Sequence, residues 1–522
     1  MSGAWAPLSQ RTFRALWLAN LVSDIGTAMH AVGAGWLMTE LAPRPAIVAL
    51  VQAATTLPMF LLLLPAGALG DILDRRRLLI FALGWSVLAA LLLGLATLAG
   101  LVTPLALLVF TFALGIGAAL AVPSFQAVVP ELVPREMLPA AVSLSSMGIN
   151  IARAAGPAIA GLLIASLGVA SVFVFNGVST LLTILVLWRW KRAPRSALLP
   201  PEPFVAALRA GWRYGRHNAG LLAVLVRSAA FYLFAAALWA LLPLVGASLV
   251  PGAGGYATLL SCLGAGAVIA ALTLPGIRPL LSSNVLSAIA SLAFAGATAG
   301  AALVGDYLAV AACMVVAGWA WLANLTTFNI AARFSIADWV MSRGLALNQM
   351  VFFGGLTLGS IAWGQIASWL SIELALLLSA AGMAVALAAT VRLPLATPPP
   401  DELKPSRHWA EPAIVLAEHE RGGRVLTTVE YRVDPAQAAG FLAALRELSV
   451  SRNRNGGYGW SVYQDTEAAG RYVEQFLSDS WVEHLRQHQR TTLGDKALQE
   501  KVRAFHRGEA PPRVSHLVAA PL

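Results

Sequence analysis

Two charged side chains stand deep inside apolar runs of this sequence. Asp24 lies near the middle of a stretch from about Phe13 to Met38. Arg153 lies inside LPAAVSLSSMGINIARAAGPAIAGLLIASLG, Leu138 to Gly168. A charge at bilayer depth costs about 2.5 kcal/mol or more, so it is kept where it faces a partner or a water-filled path. A carboxylate there can carry a proton, and a guanidinium can hold an anionic or polar group. Ser143, Ser146, Asn150 and Arg153 form one helical stripe; Asn20, Asp24 and Thr27 share a second face, and Gln52 and Thr56 a third. Two readings stay open. One is a polar cavity in the first half of the chain, with Arg153, Asn150, Asn20 and Gln52 binding a solute. The other is an Asp24–Arg153 pair that locks two helices together.

The elements that position these residues must be membrane helices. Of 522 residues, 58% are hydrophobic and only 12% charged, against about 25% charged in soluble domains. Most of the chain therefore belongs in lipid. From Gly423 onward the sequence changes to 13 Lys/Arg and 11 Asp/Glu, an ordinary soluble composition. The net charge of +10 comes largely from arginines at the ends of spans and is no nucleic-acid signal. Cys262 and Cys313 sit inside apolar runs without metal-ligand spacing and read as small core residues. The opening apolar stretch is long enough to span and lacks a cleavage pattern, so it reads as a span and not a signal peptide.

A span needs about 20 apolar residues, and twelve are expected, at roughly 13–38, 46–72, 78–100, 102–124, 138–166, 168–190, 219–247, 254–276, 284–304, 306–330, 343–370 and 372–393. With the N-terminus inside, basic residues from Arg11 through Arg75, Arg76, Arg77 and Arg189 to Arg392 fall on the cytoplasmic side, and the outer loops hold only Arg44. Between spans six and seven, a proline-containing linker precedes PFVAALRAGWRYGRHN, which reads as a basic amphipathic helix on the inner membrane surface. An internal repeat agrees with a six-plus-six division. LVPREMLPAAVSLSSM parallels FSIADWVMSRGLALNQ, so that Glu136 falls on Asp338, and Ser166 on Ser368.

PLATPPPDELKP follows span twelve as a second linker. The tail then runs strand–helix–strand–strand–helix–strand, the order of a ferredoxin-like sandwich. The expected fold class is an all-α membrane bundle of twelve transmembrane helices in two six-helix halves, plus a C-terminal α+β ferredoxin-like domain. The expected divisions are about 1–192, 193–218, 219–395, 396–422 and 423–522, with both termini cytoplasmic. His484 and His488 are four apart on a predicted helix, a spacing that can bind a metal, yet no third ligand is evident and a solvated face is expected instead. Neither a metal nor another cofactor is expected. Arg227, about two turns inside span seven, is expected to snorkel to the interface. No phosphate loop occurs to support ATP-driven transport.

The loop after span two reads GALGDILDRRRLL. It resembles the inter-helix loop of the major facilitator superfamily at Gly67, Leu69, Asp71, Arg75 and Arg76, while Asp74 stands where that family prefers glycine. Span five, with Gly156, Pro157 and Gly161, resembles the superfamily's antiporter motif, with Ala152 and Ala160 in place of glycines. More narrowly, RTFRALWLANLVSDIGTAM, GDILDRRR and VPSFQAVVPELVPREMLPAAVSL resemble the enterobactin-exporter-like secretion branch. The tail is similar to the antibiotic-biosynthesis-monooxygenase-like domain appended to some members. These resemblances imply a bacterial inner-membrane antiporter, not an enzyme. It would export a siderophore or a hydrophobic drug-like compound by proton-coupled alternating access. Asp24 would carry the proton, Arg153 would hold the substrate or keep Asp24 ionised, and Gly67, Asp71, Arg75 and Arg76 would form a gate. The partners implied are the solute, protons, the lipid bilayer and, through the tail, a second copy in a homodimer. A membrane-anchored enzyme or a sensor using the tail is the alternative, with Trp460, His484 and His488 as its polar set.

Overall fold

The computed structural model describes residues 5–190, 204–395, 402–406, 408–409 and 423–520, without the side chains of 67–68, 70–72, 127, 135, 204–208 and 210. Helices α1 (Arg11–Leu41), α2 (Pro45–Ile72), α3 (Arg75–Leu98), α4 (Pro104–Val128), α5 (Leu138–Leu167) and α6 (Ala170–Arg189) make the first half. After α7 (Phe204–Arg216) come α8 (Ala219–Leu249), α9 (Ala253–Ile277), α10 (Ser283–Leu303), α11 (Tyr307–Ser335), α12 (Met341–Trp369) and α13 (Ile372–Thr390). Their boundaries follow local chemistry. Pro45 and Pro104 open α2 and α4, where the missing N–H costs nothing, and the side chains of Asp74, Thr103, Ser282 and Ser371 cap α3, α4, α10 and α13. Asp74 accepts a hydrogen bond from the Arg77 N–H at 2.9 Å, which gives it a role where the superfamily prefers glycine.

Among the described residues, 11 helices are long and apolar enough to cross a membrane. The chain is thus a multi-pass membrane protein. Helix α1, expected as the first of twelve spans, is 31 residues long but falls outside that set. Its polar residues, among them Arg11, Arg14, Asn20, Asp24 and His30, dilute the apolar signal. The repeat has a structural counterpart: a short 3-10 turn, Arg135–Met137, leads into α5, and another, Asp338–Val340, leads into α12.

The chain divides into two compact units. The first comprises 1–201, 225–328 and 348–394; the second comprises 202–224, 329–347 and 395–522. In the first, α1 lies against α5 and α6, α3 against α4 and α6, α2 against α4, α10 against α13, and α5 against α9. The second gathers the C-terminal domain, α7 and the adjoining ends of α8, α11 and α12. Helix α7 is more than a surface helix: Tyr214 is 1% exposed, donates to the Ser335 carbonyl at 3.1 Å and accepts from the Ala337 N–H at 2.9 Å.

The C-terminal domain runs β1 (Val425–Arg432), α14 (Ala438–Asn455), β2 (Tyr458–Gln464), β3 (Arg471–Ser478), α15 (Trp481–Arg490), α16 (Leu493–Arg503) and β4 (Arg513–Val518). Its antiparallel sheet has the order β2-β3-β1-β4. Alternate residues of β1, namely Val425, Thr427, Val429 and Tyr431, are buried, as a sheet with one covered face requires. Val429, Tyr431, Phe441, Leu445, Leu448 and Tyr472 form the core.

Candidate functional site

Asp24 stands on α1 between Asn20 and Thr27, as the 3.6-residue period dictates. Asn20 Nδ2 donates to its carboxylate at 2.8 Å. Asn20 and Asp24 line a narrow cleft with Trp17, Phe125, Ser145 and Gly148. Arg153 on α5 lies within electrostatic reach of Asp24 and of Tyr232 on α8, but it forms no ion pair with Asp24 among the described residues. Its side chain stays accessible even though these groups surround it. It is therefore not part of the packed core. Asn150, half-buried, lies on the same stripe of α5.

Close helix approach brings these groups together. A Cβ on Gly156 of α5 would stand 2.5 Å from Ala28 Cβ and 3.3 Å from the Ile25 carbonyl oxygen of α1. Across to the second half, a Cβ on Gly161 would meet Ala257 Cβ at 2.8 Å. One on Gly264 of α9 would stand 2.8 Å from Ala154 Cα and 3.0 Å from the Arg153 carbonyl oxygen. Any side chain at these points would force the helices apart. Pro157 is buried within α5. Helices α2 and α12 also meet: Thr56 and Thr357 share a hydrogen bond of 2.7 Å, and Ser368 Oγ accepts from the Ala46 N–H at 2.9 Å. Gln52, half-buried, sits one turn before Thr56.

The second half contributes rings where the first contributes charge. Trp321 is 6% exposed and packs among Phe231, Tyr232, Trp239, Phe294 and Phe352 at centroid separations of 5.1–6.2 Å. Asn324 accepts from Ser287 at 2.8 Å and donates to Ser291 at 3.1 Å, so its amide is committed to packing. Arg227 does not snorkel: it is 5% exposed and donates to Asn284 Oδ1 at 2.7 Å, because a neighbouring helix supplies the acceptor.

In the loop after α2, Arg75 pairs with Glu131 at 3.7 Å, and Arg76 donates to the Leu187 carbonyl at 2.7 Å. The surroundings of Gly67 and the side chain of Asp71 lie outside what the structure describes. Sequence reasoning passed over His30. It is 7% exposed on α1, both ring nitrogens lack a hydrogen-bond partner among the described residues, and its ring packs at a tilt on Phe173 at 4.8 Å. A lone histidine in an apolar stretch is the signal that could have found it.

The tail histidines are not a solvated face. His484 is 1% exposed, and its Nε2 lies 3.2 Å from that of His488. Burial first, then the neighbouring imidazoles and Arg452, hold His484 down to about 3; burial, His516 and Arg452 hold His488 down to about 4. Trp460 donates to Glu474, which also accepts from Arg452 at 3.1 Å and from Tyr431 at 3.0 Å. Glu474 is thus saturated as a structural acceptor.

Among the described residues, eleven helices long and apolar enough to cross a membrane define a polytopic membrane protein. The model of the family described as transmembrane secretion effector, within the major facilitator superfamily, matches residues 2–521, and the chain belongs to that family. It is 28% identical over 163 residues to the staphyloferrin A transporter of Staphylococcus aureus, 31% of this chain and 41% of that protein. It is 29% identical over 204 residues to the enterobactin exporter EntS of Salmonella typhi, 38% of this chain and 48% of that protein. The chain thus spans less than half the length of these relatives. Among solved structures, it is similar to an inward-facing, unoccupied bacterial homolog of the human lysosomal transporter Spinster: TM-score 0.56, 17% identity, 73% of this chain and 94% of that one. It is also similar to a POT family transporter in complex with a thioalcohol-conjugated peptide: TM-score 0.61, 12% identity, 73% and 95%. These likenesses show the fold of a transporter.

Proposed function

We propose that this protein exports a small molecule, a siderophore or a hydrophobic drug-like compound, across the bacterial inner membrane by proton-coupled alternating access. The observation that carries the reading is the accessible Arg153 within reach of both Asp24 and Tyr232. A structural lock would hold the two charges in contact, whereas a transport site keeps its cation open to the solute. Asp24 is the proton carrier, with Asn20 holding its carboxylate. Arg153, Asn150 and Gln52 bind the polar end of the solute, and the Trp321 ring cluster is the floor for its apolar end. Relatives named for staphyloferrin A and enterobactin support an anionic metal chelator as the first class to test.

Helix α1 is the twelfth span in this reading, and both termini are cytoplasmic. The end where α2 meets α12 is then the outer one, closed here by the Thr56, Ser368 and Gly161 contacts. Gly67, Asp71, Arg75 and Arg76 form the inner gate. The divisions at about 192, 218, 395 and 422 separate halves, linkers and tail. The βαββαβ sequence and β2-β3-β1-β4 order support a ferredoxin-like tail. Its open face carries Leu426, Leu477 and Leu517, and it pairs with a second copy in a regulatory homodimer.

The experiment is uptake into inside-out vesicles energised with a proton gradient. The panel contains catecholate, hydroxamate and citrate-type siderophores and hydrophobic dyes. The expected result is gradient-dependent accumulation of one class that collapses with a protonophore. Accumulation that persists without the gradient would sink the coupling, and accumulation of none would sink the export reading. A monomer at high concentration in analytical ultracentrifugation would remove the homodimer.

A further inference from the structure

We propose that the C-terminal domain contains a three-histidine site, His484, His488 and His516, for a divalent first-row transition ion. One ring nitrogen from each residue lies within 4.8 Å of the others. The chain brings them from different elements. His484 and His488 are one turn apart on α15, which starts at a Ser480 cap. His516 comes from β4, where its register partner is Thr427 of β1. Thr427 belongs to the buried set of β1, so His516 points to the helix-covered face and meets α15 there.

The spacing suits an ion. Two nitrogens each 2.0–2.1 Å from a tetrahedral centre stand about 3.3 Å apart; His484 Nε2 and His488 Nε2 stand 3.2 Å apart. The His516 nitrogen lies within 4.8 Å of both, so a side-chain rotation must bring it to the ion. Imidazole sets of this kind suit zinc, copper, nickel and iron. Three protein ligands leave a fourth position for water or another group.

The surroundings are those of a built site. Trp481 flanks His484 at 5.4 Å and His516 at 6.0 Å, and Trp409 packs on His488 at 4.6 Å. Nδ1 of both His484 and His488 is buried with no partner among the described residues, so the cluster is polar and incomplete as it stands. Arg452, whose charge bears on both imidazoles, is neutralised by Glu474, which is 0% exposed. At the far end of α15, Arg490 pairs with Glu483 and lies over the Trp339 ring at 4.6 Å, in the turn that leads into α12. An ion bracing α15 therefore acts on a helix that touches the entry to a membrane span, which gives the site a route to regulation.

The test uses the full chain, tag removed, stripped with chelator in detergent and titrated with zinc alone. One equivalent is expected to bind. Cobalt in place of zinc is expected to give the intense visible bands of a four-coordinate site. His516→Ala should weaken zinc binding about 100-fold, at the upper end of the 10–100-fold typical of losing even an outer partner, and His217→Gln should leave it unchanged. If His516→Ala does not fold, His488→Gln, at a half-buried position, takes its place. Absence of stoichiometric zinc in the parent chain, or zinc retained at parent affinity in the folded variant, overturns the site.

Discussion

The membrane bundle and the C-terminal domain treat their buried charges in opposite ways. In the tail, Glu474 is shared by Arg452, Tyr431 and Trp460. Asp495 accepts from Ser451 at 2.6 Å, Asn455 at 2.9 Å and the Thr492 N–H at 3.0 Å, and pairs with Arg454. In the bundle, Asp24 has one hydrogen bond from Asn20, and Arg153 reaches it only through space. A saturated carboxylate holds a fold together but has nothing left to offer a ligand. An under-coordinated pair at bilayer depth is costly to keep unless a proton or a solute visits it. In the transport reading proposed above, function resides in the charges the fold leaves incomplete. Among the described residues of the tail, the histidine cluster resembles the bundle in this respect, with two buried ring nitrogens left without partners.

The largest effect expected is at Asp24. Asp24→Asn should remove gradient-driven export, a loss of about 100-fold or more by analogy with loss of a proton-transfer group, while the protein still inserts and binds solute. Substrate-dependent proton movement in vesicles is the readout, and normal movement in that variant would erase the functional side of the contrast.

Glu474→Ala tests the other side. Removing one partner of a buried pair costs about 3–5 kcal/mol, so the tail should open to protease at lower temperature while export per folded molecule is kept. Asp495 adds a pH dependence. Burial pushes its carboxyl up, but the Arg454 charge and the hydrogen bonds from Ser451, Thr492 and Asn455 outweigh this and hold it below its usual value of 3.8. A depressed carboxylate stabilises the fold above its unfolded-state value, and that contribution is lost as pH falls through the folded value. Heat-dependent proteolysis should therefore show constant tail stability from neutral pH down to about 4, then a decline. Asp495→Asn should lower stability at neutral pH and remove the share of the decline that Asp495 contributes.

Arg153→Met should raise the KM for an anionic solute roughly 10–100-fold, the cost of losing a charge-assisted hydrogen bond of about 1.5–3 kcal/mol, with a smaller effect for a neutral dye. Equal loss for both would return Arg153 to a structural role. The smallest effect concerns helix contact. A double-mutant cycle at Thr56 and Thr357, each changed to Val, should give a coupling of about 0.6 kcal/mol in thermal stability. A coupling near zero would mean that the close approach of α2 and α12 rests on packing alone.

The sequence by itself determined the membrane class, the eleven apolar spans and the succession of strands and helices along the tail, because these rest on local composition and periodicity. Long apolar runs need lipid, a proline opens a helix, and alternation of buried residues marks a strand. It also singled out Asp24 and Arg153, since a charge is conspicuous against an apolar background. Tertiary structure alone decided what each charge meets. Arg227 finds Asn284 instead of the interface, and Arg153 reaches Tyr232, 79 residues away by sequence number. Only the register of β4 against β1 turns His516 toward α15 and converts a helical pair of histidines into a cluster of three. Contacts of that kind depend on how separate elements are brought together, and no local pattern in the chain encodes them. The two remote ends of a site become one site only when the fold closes the distance between them.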